Sequence, residues 1–320
     1  MEFLKISALI AGGILAIVFS WYSVSRIRAV NTPLSVYSFK ENITEKNTSE
    51  TGKLKVASYN IAHGRGGKYG AKNRSHKTEK ELLEHLDKIA EQIKNERPDM
   101  IVLNETDFSS AWSFNINQTE YIGKKCGYPY ILEQKNIVVS FPFYRLCFGN
   151  AILSRYPIQN EKFIDFQPYS ELEDIFAGNH DAFSCELELP SGPVGIFGIH
   201  FEHRNEATRV RCAEILAEMC SEIKFPVIAL GDFNSTPSGL PKSQASENGK
   251  NAMSFLFSEK EFVSYLEEKD AYTFPSEKPD RLIDWIIGKR IREFSNSKII
   301  KSDLSDHLMV VTEVEFENQK

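Results

Sequence analysis

The chain has 320 residues, of which 42% are hydrophobic and 12% aromatic, a composition that is ordinary for a globular protein with a real core. Its formal net charge of −6 argues against a general nucleic-acid-binding protein, although a nuclease with a local basic patch stays compatible with it. The five cysteines are scattered and odd in number, so they indicate neither a disulfide framework nor a zinc site.

The N-terminal segment is apolar almost without interruption from Ile6 to Val24. As a helix, roughly 19 residues cover about 28 Å, which is close to the hydrocarbon thickness of a bilayer. No small-residue cleavage site follows, so we interpret residues 1–28 as an uncleaved transmembrane helix; with a cleaved signal peptide the protein would be secreted. Positive charges flank both ends, so they do not fix the orientation. A secretory-type anchor would place the rest of the chain outside the cytoplasm, which is the orientation we expect.

Residues 29–52 are rich in Asn, Thr, Ser, Glu and Lys, a composition typical of a flexible linker. Two triplets in this stretch, at Asn42 and Asn47, match acceptors for N-glycosylation. Residues 53–318 then form the predicted globular domain.

The globular domain begins with a strand, a helix and a second strand. The first predicted strand, Lys53–Ile61, alternates in polarity and carries Asn60 near its end. An amphipathic helix follows, and the apolar strand Asp99–Asn104 then leads directly into Glu105. In such a unit the ends of the two strands are neighbours, so Asn60 and Glu105 are expected where open α/β sheets bind their ligands.

The next section, residues 107–148, shows no clear pattern. Its apolar part, Ile137–Phe148, is predicted to be a surface hairpin, with a loop covering the site as the alternative. The strand after it, Gly149–Ser154, carries Asn150 near its start.

Two later segments also end in polar side chains. A hairpin over residues 183–201 brings His200 to the end of its second strand, and Arg204 follows in the approach to a helix. The stretch FPVIALGDFNSTP contains a buried strand from which Asp232 and Asn234 emerge. These two side chains point the same way because side chains alternate along a strand.

The end of the chain repeats this arrangement. Residues 280–288 alternate around Asp284, and Asp306 and His307 precede the terminal strand Leu308–Phe316. Each such residue alone would be an ordinary turn or cap residue. Together they form an ordered series of acids, amides and imidazoles at strand edges: Asn60, Glu105, Asn150, His200, Asp232, Asn234, Asp284, Asp306 and His307.

This series resembles the endonuclease/exonuclease/phosphatase superfamily, which has the deoxyribonuclease I-like fold. The matching stretches are SYNIAHG, IVLNETD, GNAILSRYPI, GIHFEHR, GDFNSTP, RLIDWII and SDHLMVV. The sequence departs from the family pattern at Asn104, where Gln is more usual, and over Asn179–Asp181, where many relatives are more basic. The resemblance implies an α/β (α+β) fold, a four-layer sandwich of two packed mixed β-sheets flanked by helices, which would follow the N-terminal transmembrane helix.

The resemblance also implies Mg²⁺-dependent hydrolysis of a phosphate ester, with Mn²⁺ as an alternative ion. Glu105 is the expected direct metal ligand, and Asn60 and Asp306 are expected beside it, since Mg²⁺ prefers oxygen ligands. Asp284 and His307 are expected to form a carboxylate–imidazole pair.

The remaining site residues are expected to handle the proton and the phosphate. His307 would act as the general base or contact the phosphate, and Asp232 is its rival as the base. His200 would donate to a non-bridging oxygen and Asn234 would position the phosphoryl group. Asn150 and Arg204 are expected to contact the substrate.

We therefore predict a monomeric, membrane-tethered phosphodiesterase or phosphatase. The FEHRN and GNAILSRYPI stretches resemble sphingomyelinase-like and general hydrolase branches, which favours a lipid head group or a small phosphate ester as the substrate. The alternative is a secreted or surface nuclease that grips nucleic acid through basic residues of one loop: Arg65, Lys68, Lys72 and Arg74. A non-catalytic binding member of the fold would lack site residues, and none is lacking here.

Overall fold

The computed structural model describes residues 2–31, 33–39, 53–68, 76–141, 143–166, 182–265 and 271–317. The helices are α1 (Glu2–Asn31), α2 (Glu79–Glu96), α3 (Gln118–Cys126), α4 (Glu206–Glu222) and α5 (Ala252–Ser258). The strands are β1 (Leu34–Ser38), β2 (Lys53–Asn60), β3 (Met100–Asp107), β4 (Tyr130–Phe141), β5 (Tyr144–Ser154), β6 (Ile158–Ile164), β7 (Ala182–Leu189), β8 (Gly192–His200), β9 (Val227–Asp232), β10 (Val263–Ser264), β11 (Asp284–Lys289), β12 (Ile291–Ile300) and β13 (Met309–Phe316).

The strands form two mixed sheets. The first has seven strands in the order β1-β4-β5-β3-β2-β13-β12, and the second has six in the order β10-β11-β9-β8-β7-β6. Each sheet contains one parallel pair, β2 with β3 and β8 with β9, and its other neighbours are antiparallel. The two strands of each parallel pair end on the same side, so β2 and β3 end side by side in the first sheet and β8 and β9 end side by side in the second. These four strand ends meet at one end of the sandwich.

The hydrophobic core lies between the two sheets. Apolar side chains of the first sheet, such as Val56 and Val102, share one buried cluster with Ile196 and Ile228 of the second. The same cluster includes one face of α4, while a second cluster buries α2 and α3 against the outer face of the first sheet. The predicted pair of mixed sheets flanked by helices is therefore confirmed.

Helix α2 shows how local sequence sets these elements. Its N-cap residue, Thr78, accepts a hydrogen bond from the backbone N–H of Glu81, which satisfies one of the unpaired donors of the first turn. Leu82, Leu86, Ile89 and Ile93 lie on one face and are buried against the sheet. The helix ends at Glu96, and the left-handed backbone of its C-cap residue, Arg97, turns the chain into Pro98 and β3.

Helix α1 contains the segment Lys5–Ser23, which is long and apolar enough to span a membrane by length and composition. Its apolar side chains are exposed; Leu9, for example, is 76% exposed and Phe19 is 71% exposed. The helix continues beyond the predicted boundary at residue 28 to Asn31.

Part of the predicted linker, residues 29–52, belongs to the folded sheet. Residues Leu34–Ser38 form β1, the edge strand that pairs with β4 over Tyr130–Gln134. The composition of this stretch predicts only a tether. It gives no sign of a strand, because the partner strand lies about a hundred residues away in the sequence. The triplets at Asn42 and Asn47 and the Asn179–Asp181 segment lie outside the described residues.

The unpatterned section at residues 107–148 also contains regular structure, namely α3 and β4. Helix α3 is short, and its N-cap Asn117 accepts a hydrogen bond from the N–H of Glu120. The predicted surface hairpin at Ile137–Phe148 is the outer half of the long β4–β5 hairpin.

Strand β9 carries the GDFN sequence through the centre of the second sheet. Gly231, with φ of 144°, lies so close to β8 that a Cβ atom there would be 1.9 Å from the carbonyl oxygen of Ile199. A side chain at this position would push the two strands apart, so glycine is required for the tight pairing that sets Asp232 beside His200.

Candidate active site

The predicted site residues converge because of strand register. In the second sheet His200 pairs with Asp232 and Asp232 pairs with Asp284, so three neighbouring strands present three site residues in one row. In the first sheet Asn60 pairs with Asn104, which places Glu105 immediately beyond it. The two rows face each other at one end of the sandwich.

Glu105 lies at an irregularity in β3. The register with β5 shifts between Leu103 and Thr106, and Glu105 has a left-handed backbone with φ of 51°. Its side chain is 31% exposed and faces three nitrogen atoms, of which Asn60 Nδ2 donates a hydrogen bond. Asn60 Nδ2 is 3.1 Å from Oε1, His63 Nε2 is 3.5 Å from Oε2 and His200 Nε2 is 3.9 Å from Oε1.

Asp232 is buried at the centre of the cluster. Its Oδ1 accepts the backbone N–H of Asn234 at 2.9 Å. Its Oδ2 lies 3.2 Å from Asn60 Nδ2, 3.6 Å from His307 Nε2 and 3.8 Å from His200 Nε2. Asn60 therefore links the Glu105 and Asp232 carboxylates, one from each sheet.

His307 forms the expected contact with Asp284. Its Nδ1 lies 3.0 Å from both oxygens of the Asp284 carboxylate, and both side chains are buried. The Phe274 ring packs against the imidazole with a centroid distance of 4.6 Å. Since Nδ1 donates to Asp284, Nε2 is directed toward Asp232 and the opening of the site.

Burial and neighbouring charges set the protonation of the acids. Burial raises the pKa of Asp232 to about 7, although His307 opposes this rise, and burial likewise raises the pKa of Asp306 to about 6. Burial also disfavours the charged form of Glu105, but His63, His200 and Asn60 together outweigh it and lower the pKa of Glu105 to about 2.

The two histidines shift in opposite directions. Burial lowers the pKa of His200 to about 4, so this ring is neutral at pH 7. Burial acts in the same direction on His307, but the Asp284 and Asp232 carboxylates outweigh it and raise the pKa of His307 to about 10. His307 is therefore positively charged at neutral pH.

Asn234 and Asp306 lie at the edge of the cluster. Asn234 donates its Nδ2–H to the carbonyl oxygen of Phe201 at 2.9 Å and is half-buried. Asp306 is also half-buried, with its Oδ1 3.5 Å from Ser305 Oγ, and its negative charge interacts with Glu105. Ser305 Oγ in turn donates to the Asn60 carbonyl oxygen at 2.7 Å, which ties this loop to β2.

Asn150 and Arg204 are the two residues expected to contact the substrate, and their surroundings differ. Asn150 is completely buried, and its amide bonds to Gln134 Oε1 at 2.7 Å and to Asn104 Nδ2 at 2.8 Å. Arg204 is exposed; its Nε lies 3.2 Å from His203 Nε2, and it lines a surface cavity of about 650 Å³ beside α4. Full burial of Asn150 argues against direct contact with a substrate, whereas Arg204 is exposed and its contact with a substrate stays a prediction.

His63 and Asp107 also join the site, although the sequence did not single them out. His63 Nδ1 lies 3.0 Å from Asp107 Oδ1, and Trp112 Nε1 donates to the other oxygen of Asp107 at 2.7 Å. Asp107 thus holds His63 against Glu105. The available signal was the spacing of Glu105 and Asp107, two residues apart on one strand, together with a histidine in the SYNIAHG stretch.

Asn104 was also noted only as a departure from the family pattern, yet it joins the two sheets. Its Nδ2 donates to Asn150 Oδ1 at 2.8 Å and to the Ile199 carbonyl oxygen at 2.9 Å. Its Oδ1 accepts the Asp232 N–H at 3.1 Å. One buried amide therefore fixes the position of β9 relative to β3.

We expect Asn104→Ala to lower the free energy of unfolding by about 2–4 kcal/mol, because it leaves several buried polar groups unpaired. Denaturant unfolding of the full chain in detergent measures this. The control is Asn248→Ala, an exposed position where the change should stay within about 0.5 kcal/mol. Equal stability of the two variants would contradict the linking role of Asn104.

The acidic end of the site fits a hard divalent cation. Glu105 and Asp306 offer carboxylate oxygens, and the partial exposure of both leaves room for the waters that Mg²⁺ retains. A second group, Asp232, Asp284 and His307, has ligand atoms within 4.8 Å of one another. That group is buried and its imidazole already pairs with Asp284, so the Glu105 side fits Mg²⁺ better.

Comparison with known proteins agrees with this geometry. A profile of the Endonuclease/Exonuclease/phosphatase family matches residues 57–307, more than half of the chain. A search of curated proteins found no match.

Solved structures share the fold. An endonuclease/exonuclease/phosphatase from Beutenbergia cavernae DSM 12333 is 17% identical, with a TM-score of 0.61 over 83% of this chain and 72% of that one. A functionally unknown conserved protein from Enterococcus faecalis V583 is 15% identical, with a TM-score of 0.58 over 82% of this chain and 100% of that one. Truncated TDP2 from Caenorhabditis elegans is 14% identical, with a TM-score of 0.55 over 82% of this chain and 97% of that one. The family profile carries the assignment, and the chain belongs to the Endonuclease/Exonuclease/phosphatase family.

Proposed function

We propose that this chain is a membrane-anchored phosphoesterase that uses Mg²⁺, or Mn²⁺ in its place, to hydrolyse a phosphate ester. One observation carries the proposal: Glu105 and Asn60 of one sheet and Asp232 and His200 of the other lie within 4 Å of a neighbour in a single cluster. His307 joins it through Asp232. In this arrangement the carboxylate and amide oxygens can bind a cation, and the imidazole N–H groups can donate hydrogen bonds to a phosphoryl group.

Glu105 is the proposed direct ligand of the metal, with Asp306 and Asn60 beside it. A divalent cation at this position polarises a phosphoryl oxygen and neutralises charge on the leaving group. The low pKa of Glu105, about 2, keeps its carboxylate ionised and ready to bind. His63 and Asp107 position this carboxylate from behind.

Asp232 is the proposed general base. Its Oδ1 is held by the Asn234 N–H, and its Oδ2 is directed toward the cluster, where it can take a proton from an attacking water. His307 is the weaker choice because its Nδ1 is paired with Asp284 and its pKa of about 10 keeps the ring protonated at pH 7. We propose that His307, through its Nε2–H, and His200 donate hydrogen bonds to phosphoryl oxygens.

The space for the rest of the substrate lies next to His307. A cavity of about 220 Å³ is lined by His307, Asn234 and Phe274 and by the cations Lys242 and Arg281. Both cations lie within 4.0 Å of the Asp280 carboxylate, so the phosphate of a substrate would share them with that acid, and the Phe274 ring suits an apolar or planar substituent. In this arrangement Asn234 contributes to the wall of the substrate space.

The N-terminal segment supports the membrane part of the proposal. Helix α1 presents exposed apolar side chains over the span Lys5–Ser23, and Trp21 lies near its end, where aromatic residues favour the membrane–water interface. We propose a single-pass anchor with the catalytic domain outside the cytoplasm.

The second candidate function is a nuclease, which one observation favours. The guanidinium of Arg65 lies 4.4 Å from the centre of the Trp112 ring, and Trp112 stacks with Phe148 beside Glu105. A cation and stacked aromatic rings are features that bind single-stranded nucleic acid. The other proposed basic residues include exposed Lys68, whereas Lys72 and Arg74 lie outside the described residues.

Hydrolysis of bis-p-nitrophenyl phosphate by the full chain in detergent tests the proposal. We expect activity with Mg²⁺ and none with a chelator. Glu105→Gln should weaken the apparent Mg²⁺ affinity by at least about tenfold, since metal sites lose this much even when only a supporting residue is changed. Glu188→Gln, at an exposed strand position, is the matched control and should leave activity unchanged.

Activity that persists in chelator, or a Glu105→Gln variant with the same Mg²⁺ dependence as the control, would remove the proposed metal site. Incubation with plasmid and single-stranded DNA at two salt concentrations addresses the nuclease candidate. Preferential cleavage of DNA that weakens at high salt would favour that function.

A further inference from the structure

The β4–β5 hairpin ends in a group of aromatic side chains, Phe141, Phe143 and Tyr144, which we name the aromatic tip. Phe143 is 90% exposed and Tyr144 is 40% exposed. Among the described residues outside α1, no other large hydrophobic side chain is as exposed as Phe143. Exposed Arg145 follows, which is a residue type that favours a membrane surface.

The aromatic tip lies at the same end of the first sheet as the active site. Strand β3 runs toward Glu105 and ends at Asp107, which pairs with Phe148 of β5. Residues 144–147 of β5 therefore continue past the end of β3, by on the order of 14 Å at the rise of an antiparallel strand. The hairpin thus projects from the sheet on the side where the site opens.

Helix α1 leaves the domain in the same direction. Strand β1 begins at Leu34, opposite Gln134 of β4, and the Pro33 carbonyl accepts a hydrogen bond from Lys135 N–H at 2.9 Å. The residues that precede Pro33 therefore lie toward the projecting half of β4. Helix α1 packs against β4 as well.

The lengths of the two projections match. From Gln134 to Phe141 the strand covers about 24 Å. The chain between Tyr22 and Leu34 covers at most about 24 Å. Helix α1 contributes about 1.5 Å per residue from Tyr22 to Asn31, and the three residues from there to Leu34 contribute the rest. Tyr22 is near the end of the apolar span Lys5–Ser23, and α1 contacts β4, so the hairpin is long enough for its tip to meet the surface at which α1 would leave a bilayer.

We propose that the aromatic tip enters the head-group region of the same bilayer that holds α1, so that the active site opens onto the membrane surface. The substrate is then a phosphate ester carried by a lipid of that bilayer. This inference rests on the proposed function for the chemistry, while the membrane contact of the tip rests on the fold alone. A site that faces a bilayer would obstruct a long nucleic-acid duplex.

Labelling of the full chain in phosphatidylcholine–sphingomyelin nanodiscs tests the contact. The five native cysteines are buried, so a polarity-sensitive fluorophore can be directed to Phe143→Cys. The control is Ser191→Cys, which is exposed and precedes β8, the strand whose opposite end carries His200. We expect a blue-shifted emission that spin-labelled lipids quench at position 143 and neither effect at position 191. Identical spectra at the two positions would overturn the proposal.

Activity tests the substrate class separately. Phe143→Asp should lower hydrolysis of nanodisc phospholipid by at least about tenfold, since burial of one aromatic ring corresponds to that factor or more. The same variant should hydrolyse water-soluble bis-p-nitrophenyl phosphate at the wild-type rate.

The outcomes separate the two proposals. Equal lipid hydrolysis by the wild type and Phe143→Asp, or cleavage of DNA with none of lipid, would overturn the lipid assignment and leave the phosphoesterase intact. If the wild type cleaves neither phosphate ester, the proposed function fails, and the labelling experiment still decides whether the tip contacts the bilayer.

Discussion

Asp232→Asn should lower kcat/KM for a phosphodiester by about a thousandfold, within the range that a positioned general base contributes. The substitution keeps the size of the side chain, and its oxygen can still accept the Asn234 N–H that Asp232 Oδ1 accepts at 2.9 Å. It removes the group that we propose takes the proton of the attacking water, and with it one of the carboxylates that raise the pKa of His307. The measurement is steady-state hydrolysis with saturating Mg²⁺.

The pH profile distinguishes the two candidate bases. If Asp232 is the base, kcat/KM of the wild type rises with pH through a pKa at or below about 7, and Asp232→Asn abolishes this rise. If neutral His307 were the base, activity would instead rise near pH 10, where that ring loses its proton. Asp165→Asn, an exposed position, is the control for the substitution itself and should keep wild-type kinetics.

Four of the polar residues that the structure brings together could be located from the sequence because each lies at the end of a short apolar run. The end of such a run marks a strand end, and parallel strands bring their ends together; this accounts for Asn60 and Glu105 in one sheet and His200 and Asp232 in the other. The sandwich of two mixed sheets was predictable through the family resemblance and is confirmed.

Other features depend on contacts between distant segments and left no local signal. Strand β1 lies in a polar stretch and forms only because β4 offers it an edge. Asn104 reads as an ordinary strand residue until the second sheet supplies Ile199 and Asp232 as its partners. Asn150 lies beside a short apolar run as Glu105 does, yet its side chain is completely buried, which the run itself does not indicate.

Asp284→Asn should lower kcat/KM by roughly a hundredfold, since it removes the charge that keeps His307 protonated. In the wild type, Asp284 lies 3.0 Å from His307 Nδ1 and is the chief cause of the pKa of about 10. Without that carboxylate, burial opposes only the remaining Asp232 and Asp306 charges, so the pKa of the ring falls and the variant loses the imidazole proton at a lower pH than the wild type. Activity of the variant should then fall with rising pH in a range where the wild type is constant.

The same substitution changes the pH dependence of stability, which a merely local defect would not do. The folded pKa of His307 is raised above its unfolded value of about 6.5, so its stabilising contribution is complete below that pH and is lost as pH rises toward 10. The free energy of unfolding of the wild type should therefore decline between pH 7 and 9.5, by up to about 1.4 kcal/mol per pH unit from this group. Buried thiols add a decline of their own, but equally in both proteins. Burial and, to a lesser degree, Asp284 raise the pKa values of Asp232 and Asp306, to about 7 and about 6, so the comparison uses the slopes above pH 8, where both acids are ionised. Parallel curves for the wild type and Asp284→Asn in that range would show that the imidazole is not charged in the folded protein.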